Sequence, residues 1–290
     1  METKQIVVTE RSNEAGAVVW WALSGEVNTQ QLRNELSARG ADYLPVFDTT
    51  PRTALKRAIN GISERMLFPR ALPGKTGWAL VRERAMESDL QHEVEMRVWL
   101  DDKSETGCQN LRIDPFNHPL AEHLRQLYEH HLGTLDVEGL STWLTGVVIP
   151  QLSSVALRDR GGFYFMPQPS VDMMRRVADA CEVLSGCRFF EIPAMRTEQA
   201  VQAIMAALQR DINLACTDLE GSITPELTER GVKTRTKRCF ALLDYVQTYE
   251  QTLGVGLQSM RDQIERIKAA ITVATIAANM DALALNKVAV

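Results

Sequence analysis

The sequence predicts an α+β protein: two α/β units with short mixed or antiparallel sheets, then a long helical, coiled-coil-like C-terminal region. Three observations predict it. Between Ala17 and Pro193, short apolar or alternating runs are bounded by glycine and proline, as strands are. A glycine–aromatic–proline stretch occurs twice in that part, at Gly40–Pro45 and Gly161–Pro167. From Thr197 onward the pattern becomes helical, with apolar residues at spacings of three and four. These observations divide the chain into 1–115, an α/β unit with a β-meander; 116–194, a helix-strand-helix-strand unit; and 195–290, a helical hairpin or coiled-coil region.

In the first unit, Ala17–Leu23 is a continuous apolar run, rich in branched and aromatic residues, and reads as a buried strand. Asn28 or Thr29 caps a helix through Leu32 and Leu36 that ends at Arg39-Gly40. Tyr43–Phe47 reads as a short strand, and Thr50-Pro51 opens a second helix with its stripe at Leu55, Ala58 and Ile62. Met66–Phe68 and Trp78–Val81 flank Pro73–Gly77, a hairpin loop. His92–Leu100 alternates, with Val94, Met96 and Val98 expected inward and Glu93, Glu95 and Arg97 outward. Leu111–Ile113 adds a further strand.

The second unit opens with helices over Pro119–Leu132 and Val137–Arg160, the latter kinked or split at Pro150. Beyond Gly161-Gly162 come a short strand, a helix over Ser170–Leu184, and a strand from Cys187 stopped by Pro193. In the C-terminal region one helix begins at Thr197 and a second runs through Val232 to Leu253. The third carries Leu257, Met260, Ile264, Ile267, Ile271, Ala274 and Ala278 as an a/d seam.

Leu36, Arg39, Gly40 and Tyr43 match Leu157, Arg160, Gly161 and Tyr164 at identical spacing. Either the units descend from a degenerate duplication, or both draw on the residue types that any helix-turn-strand junction needs. The order Leu157-Arg158-x-x-Gly161-Gly162-x-Tyr164-Phe165-x-Pro167, with an α/β unit before it and long helices after, resembles an uncharacterised family of bacteriophages and bacteria. That resemblance implies a bacterial or phage cytoplasmic origin and brings no catalytic residue with it.

A net charge of -5 supplies no global field for nucleic acid or an anionic membrane. No run of apolar residues is long enough to span a bilayer, and Met1–Ile6 does not open like a signal peptide. Cys108, Cys181, Cys187, Cys216 and Cys239 form an odd set without C-x-x-C, which points to a reducing compartment.

Several stretches carry candidate chemistry. Gly74-Lys75-Thr76 ends like a phosphate loop, but Pro69 stands where that loop needs glycine and a strand follows, so a hairpin is expected. His118, His123, His130 and His131, with Glu122 and Glu129, are the richest titratable cluster, yet no H-E-x-x-H is present. Glu93, Glu95, Asp101 and Asp102 on and after a strand read as polar alternation rather than a nuclease centre. Arg230, Lys233, Arg235, Lys237 and Arg238 form a basic helical run, and Arg175 and Arg176 lie on a helix of the second unit. Together they suggest a phosphate track.

No cofactor and no metal is expected. The leading expectation is a non-enzymatic cytoplasmic interaction or assembly protein that self-associates along Leu257, Met260, Ile264, Ile267 and Ile271. The first alternative is a nucleic-acid-binding protein of phage or bacterial DNA metabolism, using the Arg230–Arg238 run with Arg175 and Arg176. The second is an enzyme with a dispersed site near the 118–131 histidines.

Overall fold

The computed structural model describes residues 13–62, 67–85, 90–101, 111–224 and 228–288. Met66, Asp102 and Cys108 lie outside them. The chain folds into two compact units. Unit 1 joins the segment ending at Ala22 to Thr145–Asp179 and to the segment beginning at Arg188, and unit 2 joins Leu23–Leu144 to Ala180–Cys187. These units cut across the serial division at 115 and 194, because strands distant in sequence pair with each other.

Unit 1 is built on a four-stranded antiparallel sheet. Its strands, numbered along the chain, are β1 (Glu14–Ala22), β8 (Val155–Ala156), β9 (Tyr164–Pro167) and β10 (Arg188–Met195), in the order β10-β1-β9-β8. β1 lies inside this sheet and pairs with both β10 and β9, so a continuous apolar run suits it. Trp21 stacks on Tyr164 on one face, with ring centroids 5.1 Å apart, and Trp20 stacks on Phe190 at 5.3 Å. A Cβ at position 16 would lie 1.9 Å from the Met166 carbonyl oxygen, so the close approach of two backbones requires Gly16. β10 does not stop at Pro193 as expected. It is an edge strand, where a residue without an N–H is tolerated, and it continues to Met195.

Three long helices complete unit 1: α7 (Glu198–Gly221), α8 (Glu229–Leu253) and α9 (Gln258–Val288). Thr197 and Thr228 cap α7 and α8 by accepting from the Ala200 and Gly231 N–H groups. Gly254 ends α8 in the left-handed conformation. Leu257, Met260, Ile264, Ile267 and Ile271 are buried in one core with Ile204, Leu208, Ile212, Val246 and Tyr249. The Leu257–Ile271 part of the a/d seam is therefore covered by α7 and α8 of its own chain. Glu250 locks the α8–α9 corner, accepting from the Leu257 N–H at 2.9 Å and from the Arg261 guanidinium.

The helix expected over Val137–Arg160 is shorter. It comprises α4 (Val137–Trp143), a π-helical segment Leu144–Val148 and the single turn α5 (Ile149–Gln151). Val155 and Ala156 then pair with Phe165 and Tyr164. Arg158 to Gly162 thus form a hairpin loop closed by the Leu157 N–H donating to the Phe163 carbonyl.

In unit 2, α1 (Thr29–Ala38) and α2 (Pro51–Gly61) are capped by Asn28 and Thr50 as the sequence predicts. Strands β3 (Leu67–Ala71), β4 (Gly77–Ala85), β5 (Leu90–Leu100) and β6 (Leu111–Asp114) form an antiparallel sheet in sequential order. The 73–76 segment is its first hairpin loop, where Lys75 sits over the Trp99 ring. α2 and α3 (Ala121–Leu132) share a core with this sheet through Leu55, Ile59, Leu80, Met96, Val98 and Leu124. A two-stranded ladder pairs β2 (Val27–Asn28) with β7 (Thr134–Leu135).

Two expectations fail here because of the partners these segments meet. Val94 is 44% exposed, because a bulge opposite Leu80 and Val81 breaks the alternation that keeps Met96 and Val98 inside. Tyr43–Phe47 forms no strand. Side chains take its carbonyls instead: Trp143 donates to Pro45 O at 2.8 Å and Arg33 to Val46 O at 2.9 Å.

Candidate functional site

Unit 1 contains a cleft of about 900 Å³ between the Arg158–Gly162 hairpin, the segment from Thr145 to Ser154, and α7 and α8. Its apolar wall comes from Ile149, Pro150, Ile212 and Leu242, and its charged groups are Asp211 and Asp244 with Arg160 and Arg238. Three backbone irregularities meet at this cleft. Thr145 lies in the π-helical segment, and such segments often mark functional sites. Ser153 holds a positive φ of 51°, sparsely populated for a residue with a side chain. Gly161 has a φ of 65° and closes the rim.

The strained turn is held from α8. Tyr249 donates its hydroxyl to Ser153 O at 2.9 Å, and Tyr245 donates to Ser154 O at 3.3 Å. Their rings meet edge-on at 5.1 Å, and Tyr249 also packs on Phe165 at 5.9 Å. Burial pushes both phenols above their ordinary range, so they remain donors.

Asp211 is the chemically distinctive group of the cleft. Burial raises its pKa above the usual carboxylate value, and Arg210 offsets this only in part. The Arg210 guanidinium lies 3.7 Å from Asp211 but also donates to Asp159 at 3.0 Å and to the Ala156 carbonyl. A half-buried carboxylate with a shared counter-charge is a receptor for a further cation or hydrogen-bond donor.

Unit 1 also exposes an aromatic strip on its sheet. Trp20 lies between Phe163 at 5.5 Å and Phe190 at 5.3 Å, and the Arg158 guanidinium sits over the Phe163 ring. Phe163 and Phe190 are each about two-fifths exposed, and Arg188 is exposed nearby on β10.

In unit 2 the histidines separate. His118 is 3.8 Å from Glu95, which is itself paired with Arg82, and His123 is exposed on α3. His130 and His131, in the last turn of α3, meet Glu26 instead. His130 Nε2 is 2.6 Å from a Glu26 carboxylate oxygen, and one donor atom from each of the three residues lies within 4.8 Å of the others. Burial holds the His131 pKa below its ordinary value. Glu26 is not among the residues the sequence singles out: it comes from the Ser24–Asn28 stretch before α1, 104 positions from His130.

The basic run on α8 is largely engaged. Lys233 pairs with Glu229 at 2.7 Å, Arg235 donates to Ser222 Oγ and Gly231 O, and Arg238 pairs with Asp218 at 3.0 Å. Arg230 and Lys237 are exposed. Arg175 is held between Glu191 at 2.6 Å and Asp172 at 2.8 Å, and Arg176 is exposed on α6 (Gln168–Leu184). Arg112 and the Trp99 indole take Asp101.

A family model described as a family of unknown function, DUF6744, matches residues 15–282. The chain belongs to that family. The match spans both units. No curated protein and no solved structure matches the chain. Among the described residues, no helix is long and apolar enough to cross a membrane.

Proposed function

We propose that this chain is a non-enzymatic binding protein, and that the unit 1 cleft holds a small amphipathic ligand carrying an amine. The observation that supports it most is the half-buried Asp211 carboxylate beside an apolar wall in a cleft of about 900 Å³. The apolar part of the ligand lies against Ile149, Ile212 and Leu242, and its ammonium meets Asp211. A cytoplasmic setting fits the four described cysteines, all free and buried, with burial pushing the Cys181 thiol up to about 12.

Matched amphipathic amines, alcohols and acids test this by thermal shift on the full chain. Amines raise Tm, and Asp211→Asn or the cleft-filling Ala241→Trp abolishes the gain. Equal shifts from amines and acids, or a gain that survives Ala241→Trp, overturn the reading.

Self-association through Leu257–Ile271 would require the helical bundle to open, since its own helices cover that seam. Nucleic-acid binding keeps a second, different basis: the Trp20–Phe163–Phe190 strip flanked by Arg158 suits stacking of single-stranded bases. Salt-sensitive binding of an oligothymidylate, lost in Trp20→Ala, supports it; absence of binding at low salt refutes it.

A further inference from the structure

We propose that Glu26, His130 and His131 form a binding site for one divalent transition-metal ion of the zinc class. Two imidazoles and a carboxylate are a donor set that suits zinc, cobalt or nickel. Their donor atoms already lie within 4.8 Å of one another. A tetrahedral ion with bonds of about 2.0–2.2 Å spaces its ligands roughly 3.4 Å apart, so side-chain rotations of about 1 Å complete the set.

The three residues are brought together by fixed backbone. Val27 and Asn28 pair with Leu135 and Thr134, which sets the chain at Glu26 beside the end of α3. The Thr29 N–H donates to Gly133 O at 2.9 Å, and the Thr134 hydroxyl donates to His130 O at 3.0 Å. His130 and His131 are therefore held in the last turn of a helix, where the backbone dipole presents its negative end to a cation. An ion there would sit between that helix end and the Glu26 carboxylate.

A hollow of about 670 Å³ lies beside Glu26, with Asp136 and Glu138 in its wall and neither histidine lining it. Asp136 is already committed, accepting from Arg57 at 2.6 Å and from the Gly139 N–H at 2.8 Å. A bound ion would complete its coordination with water. The site lies wholly in unit 2 and does not depend on the cleft of unit 1.

The test is calorimetric titration of the full, tag-free chain with ZnCl₂, with Co²⁺ visible absorption as the second readout. One ion per chain is expected, with a tetrahedral Co²⁺ spectrum. Glu26→Gln and His131→Ala should each weaken binding by more than about tenfold, since even outer-shell changes cost about 10–100-fold. His123→Ala, on the exposed face of the same helix, should bind like the parent. Circular dichroism establishes that each variant is folded, and Glu26→Gln keeps the side-chain volume if His131→Ala does not fold. No uptake of equimolar metal overturns the proposal. So does affinity unchanged in folded Glu26→Gln, or equal losses in His123→Ala and His131→Ala.

Discussion

Gly40 and Gly161 stand in the same run of letters and in different structures. Gly40 ends a helix: its N–H reaches Ser37 O at 3.0 Å, and the Ala41 N–H reaches Leu36 O at 2.8 Å. This is the paired closure that a left-handed glycine permits after an α-helix. Gly161 lies in the loop of the β8–β9 hairpin, after two strand residues and no helix. Both have a φ near 70°. A left-handed glycine thus reports a local need for that backbone and nothing of the elements around it. The two stretches match in residue type and not in architecture, because a helix end and a hairpin loop share one dihedral requirement.

The surroundings of the two glycines predict unequal costs. A Cβ at position 161 would stand 2.5 Å from the Tyr164 hydroxyl, and the Tyr164 ring is pinned by its stack on Trp21. Gly161→Ala should therefore cost about 2–3 kcal/mol, the left-handed penalty plus displacement of that stack. Chemical denaturation measures it, and Tyr164→Phe in the Gly161→Ala background should recover part of the excess. If the phenylalanine gives no recovery, the hydroxyl is not the obstacle. Gly40 is exposed, so Gly40→Ala should cost about the dihedral penalty, ~1 kcal/mol. A loss as large as at 161 would end the distinction.

The smallest effect concerns the cleft that Gly161 borders. Burial raises the Asp211 pKa in the folded chain, so the folded state binds that proton more readily than the unfolded state. Its contribution is fully present below the unfolded-state value and is lost as pH rises through the raised folded-state value. Asp211→Asn should remove this loss, so the variant gains on the parent as pH rises across the weakly acidic range. Tm measured against pH for both proteins decides it; a gain on acidification would contradict the burial argument.

Much of the fold was legible because its signals are local. Asn28, Thr50 and Thr197 each announce a helix by a side chain that accepts a first-turn N–H, and each does so. The stripe of α9 and the 73–76 hairpin follow from periodicity and glycine in the same way. What failed depended on partners. Val94 turned outward because of a bulge against β4, and 43–47 lost its strand because Trp143 and Arg33 took its carbonyls. The cleft was less legible still. Tyr245 and Tyr249 lie unmarked within the helical pattern from Val232 to Leu253, and the strain at Ser153 that they hold has no sequence mark.

By itself, the sequence determined where helices start and stop, which faces are apolar and which residues could carry charge, since capping, periodicity and ionisation act within a few residues. Only the tertiary structure decided what those faces and charges meet. It turned the Leu257–Ile271 seam inward onto α7 and α8, and it paired Lys233, Arg238 and Arg175 with acids. It also carried Glu26 to His130 across 104 positions. The physical reason is that burial and pairing depend on distance in space, and neither has a period that a chain can display.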